Sequence, residues 1–414
     1  MAAMPWQETD VSKERVKFVL EWEKRWNAGE GRTNFAALCR EFGISRQQGY
    51  FWIRRFQDAD FSIEAVVERS HRPARSPTKV SSEMEDHLAA ARKAHPTWGP
   101  RKLRSWLQNR HPEILLPAAS TIGEVLRRRG LTVSPKRRSR ATMLRRAPFA
   151  ETTGPNATWC ADFKGHFRTA DGTVCYPLTI VDAFSRFLIR CEIVKEPTGA
   201  EVQRVFDSAF LEFGLPSAIR SDNGPPFASV GAGGLTKLSV WWLRLGIRLE
   251  RITPGKPQEN GRQERFHRTL KAETTKPPRA NPRAQQRAFD EFRRDYNTER
   301  PHEALGQRVP LSAYEQSPRR YPRALMNFEP IEWEDQIGVR HDGTIRWKRK
   351  SLFISSALAH LGVEIEPTAV TGEWLVHFGP LSIGNIKTTS RGTRFVPSTG
   401  RMQDTREVSG ISSD

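Results

Sequence analysis

Three acidic side chains, Asp162, Asp222 and Glu264, lie where their carboxylates could act together. Asp162 and Asp222 are each predicted at the end of a strand and Glu264 in the first turns of a helix, at the sheet edge where α/β proteins bind ligands. Two bare carboxylates about 4 Å apart repel by roughly 4 kcal/mol at an effective dielectric near 20. Divalent cations remove that cost. Oxygen-only ligands suit Mg²⁺ or Mn²⁺, and two such ions about 4 Å apart can activate an attacking oxygen and stabilise a leaving one in phosphodiester displacement.

The stretch 254–271, PGKPQENGRQERFHRTLK, predicts how the third acid is presented. Its two prolines keep the first part out of a helix, and the Asn-Gly pair permits a turn into one. At 100° per residue, Phe266 and Leu270 share the apolar face, whereas Glu264 and His267 fall on the opposite, polar face. We therefore expect Glu264 and His267 to point away from the core, although a merely solvated helix face would show the same pattern.

Charge and composition restrict the class of protein. At 414 residues the chain is too long for a single hydrophobic core, so several domains are expected. The net charge is +19, from 66 Lys and Arg against 47 Asp and Glu. Residues 91–150 carry 15 basic and two acidic side chains, a concentration that predicts a polyanionic partner, nucleic acid in preference to a membrane. No run of 18 apolar residues and no signal-peptide pattern occurs, so we expect a cytoplasmic protein that works without a membrane. The four cysteines lack metal-site spacing.

Residues 1–70 are predicted to form a helix-turn-helix domain. Ser45 can cap a helix that opens with Arg46, Gln47 and Gln48, side chains able to make paired hydrogen bonds to base edges in a major groove. An ordinary three-helix scaffold is the alternative. The predicted core positions are Phe18, Trp22, Trp26, Phe35, Leu38, Cys39, Phe42, Phe56 and either Phe51 or Trp52.

A linker at 71–80 precedes a second predicted helix-turn-helix domain, 81–132, in which Ser120 is the expected helix cap. The Arg127, Arg128 and Arg129 run cannot face one side of a helix, so part of it should meet solvent or phosphate. The basic linker 133–150 lacks hydrophobic periodicity and is predicted to be a disordered tether until DNA orders it. At about 3.3 Å per extended residue, its part 134–146 could reach some 40 Å, so that a chain's DNA-reading units could bind one DNA end while its core acts on the other. Its candidate DNA contacts are Lys136, Arg137, Arg138 and Arg140.

Residues 151–320 read as the catalytic domain, with the order βββαβαβα and a mixed sheet covered by helices. Asp182 is interpreted as a hairpin-turn residue rather than a metal ligand. Residues 331–390 predict a small β-barrel that begins with a hairpin over 339–347, and its basic side chains could bind DNA or simply be solvated. The tail 391–414 is predicted to be disordered.

Four motifs together resemble one family: DFK at 162–164, SDNGPPF at 221–227, the stretch 254–271, and YNTERPHEALG at 296–306. Over roughly residues 159–314 the chain resembles bacterial insertion-sequence transposases with a retroviral-integrase-like, ribonuclease H-like core. That resemblance implies that Asp162, Asp222 and Glu264 bind the metals and that Glu259 is not catalytic. The 41 residues between Asp222 and Glu264 slightly exceed the common spacing, and the glycine-rich insertion 231–234 is a plausible source.

The resemblance implies a DDE transposase that cuts double-stranded DNA at the terminal repeats of its element and joins the freed 3′-hydroxyl to target DNA. Such an enzyme would use two Mg²⁺ or Mn²⁺ ions, assemble as a dimer or higher homo-oligomer on DNA, and work on the bacterial nucleoid. We expect Lys256, Arg262 and Lys271 to hold DNA near the third acid, and His267 to contact phosphate or water unless it is only a polar surface residue. The alternatives are a catalytically silent DNA-binding regulator and a nuclease for RNA–DNA hybrids.

Overall fold

The computed structural model describes residues 11–29, 34–66, 80–132, 152–252, 261–325, 336–390 and 392–398. The chain divides into two compact units, Met1–Lys79 and Val80–Asp414. Within the described ranges, no helix combines the length and the apolar character needed to cross a membrane.

The first unit contains three helices, α1 (Val11–Asn27), α2 (Phe35–Glu41) and α3 (Arg46–Gln57). Ser45 caps α3 as predicted, because its hydroxyl accepts a hydrogen bond from the Gln48 amide at 3.2 Å. The aromatic core position of α3 is Trp52, whereas Phe51 is 55% exposed. The prediction that Trp26 lies in the core is wrong, because it is 49% exposed near the end of α1, where its ring packs beside that of Trp22.

The second unit opens with a helical domain that has its own apolar cluster, comprising α4 (Ser82–Ala94), α5 (Pro100–Arg110) and α6 (Ala119–Arg128). The prediction that Ser120 caps a helix is wrong. Helix α6 begins one residue earlier and Ala118 occupies the cap position, where its methyl group offers no hydrogen bond. Gly130, at φ +68°, ends the region in the left-handed conformation that favours glycine.

The central sheet is mixed, as predicted, and its order β4-β3-β1-β5-β6 brings sequence-distant strands together. The pairs β1–β5 and β5–β6 are parallel, the others antiparallel, and β2 adds a short pairing at the start of β3. The predicted order of elements is confirmed, with β2 and a final helix as additions. The elements are β1 (Thr158–Phe163), β2 (Phe167–Arg168), β3 (Val174–Asp182), β4 (Leu188–Val194), α7 (Gly199–Phe213), β5 (Ala218–Ser221), α8 (Lys237–Arg244), β6 (Arg248–Arg251), α9 (Gly261–Thr274) and α10 (Pro282–Thr298).

Helices cover both faces of this sheet. On one face, α7 and α8 bury a large aromatic-rich cluster that includes Trp159, Phe206 and Trp242. On the other, α9 and α10 pack on β3 and β4 through a smaller cluster that contains Phe266 and Leu270. The apolar face predicted for α9 is therefore the face that meets α10 and the sheet.

The C-terminal part is an antiparallel sheet of five strands, with a separate two-stranded hairpin. The turn predicted at residues 342–343 is present, because the Arg340 amide donates to the Thr344 carbonyl at 2.8 Å, but residues 339–341 form no strand. The hairpin with paired strands instead joins β8 to β9 through Lys348 and Arg349, which both adopt positive φ. The prediction of a disordered tail is wrong for Gly392–Pro397, which forms β13 against β12. The described strands leave β7 and β13 at open edges, so the barrel stays a prediction. The strands are β7 (Gln336–Gly338), β8 (Thr344–Trp347), β9 (Lys350–Phe353), β10 (Gly362–Pro367), β11 (Glu373–Phe378), β12 (Leu381–Thr389) and β13 (Gly392–Pro397).

The glycine-rich insertion after Asp222 packs on this C-terminal sheet. Ala232 and Leu235 belong to the same buried cluster as Ile383 of β12. Gly233 has φ +59°, and a Cβ added there would come within 3.0 Å of the Ile383 side chain. Glycine is required here both for the backbone conformation and for the close approach. The C-terminal sheet is thus a packing partner of the segment that follows the second acid.

Replacing Ile383 with alanine tests this packing. Its side chain is fully buried, so we expect Ile383→Ala to lower the free energy of unfolding by about 2–5 kcal/mol. Amide hydrogen exchange should accelerate both in β12 and across residues 232–243. The control is Val370→Ala, a side chain 60% exposed, which should change stability by less than about 0.5 kcal/mol. Faster exchange confined to β12 would contradict the shared packing.

Candidate active site

The parallel pairing of β1 with β5 places the first two acids side by side. Thr158, Trp159 and Cys160 pair in register with Ala218, Ile219 and Arg220. Continued two residues past this pairing, the same register takes Asp162, near the end of β1, and Asp222, the first residue after β5, toward the same edge of the sheet, because parallel strands advance together. Both side chains are partly buried. The sequence prediction that both acids reach one sheet edge therefore agrees with the strand register, although β1 continues one residue beyond Asp162.

The loop that carries Asp222 is held by the end of β6. The Asn223 amide donates to the Ile252 carbonyl at 2.7 Å, and the Gly224 amide donates to the Asp222 carboxylate at 3.2 Å. A Cβ on Gly224 would lie 3.4 Å from that carboxylate, so glycine keeps the oxygen accessible. These contacts fix where the second acid points.

Arg251 lies beneath the same loop. One of its terminal nitrogens donates to the carbonyls of Phe227 and Gly234, at 3.2 and 3.1 Å, and so joins both ends of the insertion. Burial lowers the pKa of Arg251 to about 10, while the charge of Asp222 acts in the opposite direction. At neutral pH the guanidinium remains charged and offsets part of the negative potential at the site.

Two side chains one helical turn apart attach α9 to the sheet. The Gln263 amide donates to the Cys160 carbonyl at 3.2 Å, two residues before Asp162. A ring nitrogen of His267 lies 2.9 Å from the Thr179 hydroxyl, which donates to the Asp162 carbonyl at 3.0 Å. Since Thr179 pairs with Asp162 in the β1–β3 register, these bonds hold α9 directly over the first acid.

The prediction that His267 points away from the core is wrong. Its side chain is buried, and its second ring nitrogen is 3.9 Å from the Asp162 carboxylate. Burial, followed by the nearby Lys164 charge, lowers the pKa of His267 to about 3, so the imidazole is neutral near pH 7. Helix α9 is buried on two sides, by α10 and by the sheet, and the helical wheel assumed only one. His267 is therefore buried beside Asp162 and does not lie on an open surface where it could contact phosphate.

Glu264 lies between these two anchors in sequence and is exposed in the first turn of α9. Within the described ranges, no three acidic, histidine or cysteine side chains are close enough together to share a metal ion. The donor set nevertheless fits Mg²⁺ or Mn²⁺, because the two aspartates in register offer only oxygen ligands. The structure thus shows α9, which carries Glu264, attached beside the end of β1 that carries Asp162.

Cationic side chains surround this edge. Arg262 and Lys271 are exposed on α9, as predicted for DNA contacts. Lys164 follows β1 directly, and its pKa is lowered first by burial and then by the charge of Lys271, while Asp162 opposes the shift. Asp182 is the last residue of β3, just before the turn to β4, and its carboxylate accepts hydrogen bonds from the backbone amides of Asn156 and Ser185 at 2.8 and 2.7 Å.

The other predicted DNA contacts belong to the helical domains and the linker. Arg46, Gln47 and Gln48 are exposed at the start of α3. Arg127 pairs with Glu124 of its own helix, whereas Arg128 and Arg129 pair with acids of α4. Five predicted contacts lie outside the described residues: Lys136, Arg137, Arg138, Arg140 and Lys256.

The sequence reasoning missed Gln263, Thr179 and Arg251. Gln263 and His267 are four residues apart on one helix, a spacing that could have indicated a shared polar face toward the sheet. Thr179 and Arg251 carry no local signal, since their roles depend on cross-strand registers.

Four stretches of the chain match family models. Residues 152–257 and 245–310 each match a model described as an integrase core domain. Residues 48–126 match a homeodomain-like domain, and residues 14–74 match a helix-turn-helix domain.

Two bacterial relatives are matched over about two thirds of their length. The chain is 29% identical over 245 residues to an uncharacterized 39.2 kDa protein of insertion element IS476 from Xanthomonas euvesicatoria, covering 59% of this chain and 67% of that protein. It is 31% identical over 190 residues to a 31.7 kDa protein of insertion element IS407 from Burkholderia multivorans, covering 46% of this chain and 66% of that protein. A Gag-Pol polyprotein of baboon endogenous virus is 28% identical over 226 residues, 53% of this chain and 12% of the polyprotein.

Among solved structures, the magnesium complex of the HTLV-2 integrase catalytic core domain matches with TM-score 0.30 and 18% identity, over 40% of this chain and all of that one. A simian T-cell lymphotropic virus intasome chain matches with TM-score 0.34 and 17% identity, over 75% of this chain and 96% of that one. TM-scores this low support no argument about function.

The chain thus combines an integrase core domain with helix-turn-helix domains. It belongs to the bacterial insertion-sequence transposases with an integrase-like core, as the sequence motifs indicated.

Replacing Thr179 with valine tests how α9 is held. The change keeps the side chain's shape but removes the hydroxyl between Asp162 and His267, leaving a buried ring nitrogen without its partner. We expect the free energy of unfolding to fall by about 1–3 kcal/mol and amide hydrogen exchange to accelerate in α9. The matched control is Thr298→Val on the exposed side of α10, which should cost less than about 0.5 kcal/mol. Unchanged exchange in α9 would show that the helix is held by its apolar face alone.

Proposed function

We propose that this protein is a DDE transposase that cleaves double-stranded DNA at the terminal repeats of its mobile element and joins the resulting ends to target DNA. The observation that carries the proposal is the parallel β1–β5 pairing, which ends two residues before Asp162 and Asp222 and supports their meeting at one edge of the sheet. The integrase core match over residues 152–257 contains both acids and supports this chemistry. Glu264 is proposed as the third ligand because α9 is attached beside Asp162.

The reaction consists of two phosphodiester displacements. Water attacks the phosphorus at the element end and the bond to the 3′ oxygen breaks, which leaves a 3′-hydroxyl and a 5′-phosphate. That hydroxyl then attacks a target phosphorus, loses its proton, and displaces the target's 3′ oxygen, which takes up a proton. Two Mg²⁺ or Mn²⁺ ions held by Asp162, Asp222 and Glu264 would supply the charge needed to activate the attacking oxygen and stabilise the leaving one.

The chain's own residues position these groups. Gln263, Thr179 and His267 fix α9 over β1, and Arg251 fixes the loop of Asp222. Arg262, Lys271, and Lys256 outside the described residues are proposed to hold the DNA backbone. The working form is proposed to be a dimer or larger assembly on two DNA ends, acting on the nucleoid in the cytoplasm, because joining both ends requires two active sites.

Neutralising one acid tests the chemistry. We expect Asp222→Asn to reduce both end cleavage and strand joining in Mg²⁺ by roughly a thousandfold or more, because a metal ligand loses its charge. Glu264→Gln should behave alike, whereas Glu291→Gln, an exposed change on α10, should leave both rates unaltered. Comparable activity of Asp222→Asn would refute the proposal. Binding of end DNA without nicking by the unaltered protein would instead favour a silent regulator.

Sequence recognition is proposed to begin with α3. Gln47 is exposed in its first turn, where a side chain can reach a base edge. We expect Gln47→Ala to weaken binding to terminal-repeat DNA by about 1–3 kcal/mol, with little effect on random DNA, in competition assays at fixed salt. Gln57→Ala, exposed at the opposite end of α3, is the matched control. Equal loss of affinity for both DNAs would mean that Gln47 contacts only the backbone.

A further inference from the structure

The motif at 296–306 has no role in the chemistry above, yet it lies against the helical domain of residues 80–132. The Trp106 indole of α5 donates to the Glu299 carboxylate at 2.8 Å, and Arg110 donates to the same oxygen at 3.0 Å. The Arg110 guanidinium also lies 4.5 Å from the centre of the Trp106 ring. One acid of the core thus receives two donors from a single face of α5.

A second group of contacts extends this surface. The Ser105 hydroxyl donates to the Gln307 carbonyl at 3.2 Å. Arg300 is buried, pairs with Glu273 at 2.6 Å, and lies 5.8 Å from the ring centre of Trp98, itself a core residue of the helical domain. Since an aromatic ring favours a guanidinium over its face, the core's cation completes the helical domain's own apolar cluster.

These contacts reach the helix that carries the third acid. Glu273 lies in the last turn of α9, whose first turn holds Glu264, and Thr97 of the helical domain donates a hydrogen bond to the Glu273 carboxylate. The helical domain therefore touches the ends of α9 and α10 together. A movement of this domain would be transmitted to α9 through a short, continuous chain of contacts.

We infer that residues 296–307 are the docking site for residues 80–132 of the same chain, which makes the second helical domain a fixed part of its own catalytic unit. The inference deepens the proposed function: DNA bound by this domain is presented to the active site of the chain that binds it. The long linker at 133–150 then does not serve to send this domain to a second copy. The expectation that the linker lets a chain's DNA-reading units bind one DNA end while its core acts on the other is replaced, for this domain, by docking in cis.

The charges of the two segments favour docking of the helical domain, residues 80–132, on residues 296–307. Glu299 and Glu303 on the core face Arg110 and Arg101 on α5, so acids of the core meet bases of the helical domain. The Glu299–Arg110 pair is less exposed to solvent than the Glu303–Arg101 pair. Glu299 also accepts the hydrogen bond from the Trp106 indole. Opposite charges on two segments of one chain, already in contact, are complementary as an interface requires.

Cross-linking distinguishes docking in cis from docking in trans. The full chain would carry Ser105→Cys and Gln307→Cys, adjacent positions because the Ser105 hydroxyl lies 3.2 Å from the Gln307 backbone carbonyl, and a protease site within 133–150. After oxidation, in the presence and absence of paired terminal-repeat DNA, the denatured protein is sized without reductant both before and after the linker is cut. Docking in cis gives the mass of one chain, 47.2 kDa, before the cut, and the two pieces stay joined after it. A product of twice that mass before the cut, or pieces that separate after it, would overturn the inference. Neither result depends on strand joining, so the proposed function is tested separately.

Two controls make the result specific. Ser105→Cys combined with Gln316→Cys, a position that instead bonds to the Glu212 carbonyl, should give no joined product. Glu299→Arg should lower the yield of cross-link by roughly fivefold or more, and adding Arg110→Glu should restore it, because the pair is only reversed. Full cross-linking by Glu299→Arg alone would show that this contact does not hold the domain.

Discussion

The parallel pairing of β1 with β5 is the constraint on which the site depends. Because both strands run in the same direction, residues at equal offsets leave the sheet at one edge, and the register continued past Cys160 and Arg220 takes Asp162 and Asp222 to that edge. The antiparallel pairing of β3 on the other side of β1 then puts Thr179 beside Asp162. Helix α9 is attached to Thr179 through His267. A shift of one residue in either register would separate the two acids or detach the helix.

Electrostatics explains why cations gather at this edge. Carboxylates brought together in a partly desolvated place repel one another unless positive charge is near. Arg251 and Lys164 are both held close, although burial lowers the pKa of each. The neutral imidazole of His267, in contrast, adds no positive charge beside Asp162. The chain therefore supplies part of the compensating positive charge through Arg251 and Lys164.

Much of this arrangement could be predicted from the sequence, and the exceptions share a physical cause. Strand ends at Asp162 and Asp222, and Glu264 in a helix's first turn, follow from local patterns of apolar residues and turn formers. The burial of His267 does not, because a helical wheel cannot tell that α9 is covered by both α10 and the sheet. Trp52 and Phe51 are adjacent and equally apolar, so only the packing of α1 and α2 decides between them. Strand β13 depends on pairing with β12, which no local signal in a polar tail reveals.

The central claim, that Asp162, Asp222 and Glu264 share one metal site, is tested most directly by cleavage of the protein with bound iron. Fe²⁺ replaces Mg²⁺, and the hydroxyl radicals produced with ascorbate and peroxide cut the backbone near the ion, without any need for transposition activity. The account predicts three groups of cuts, close to residues 162, 222 and 264, that excess Mg²⁺ suppresses together. Cuts near the two aspartates alone, or near 264 but insensitive to Mg²⁺, would contradict it.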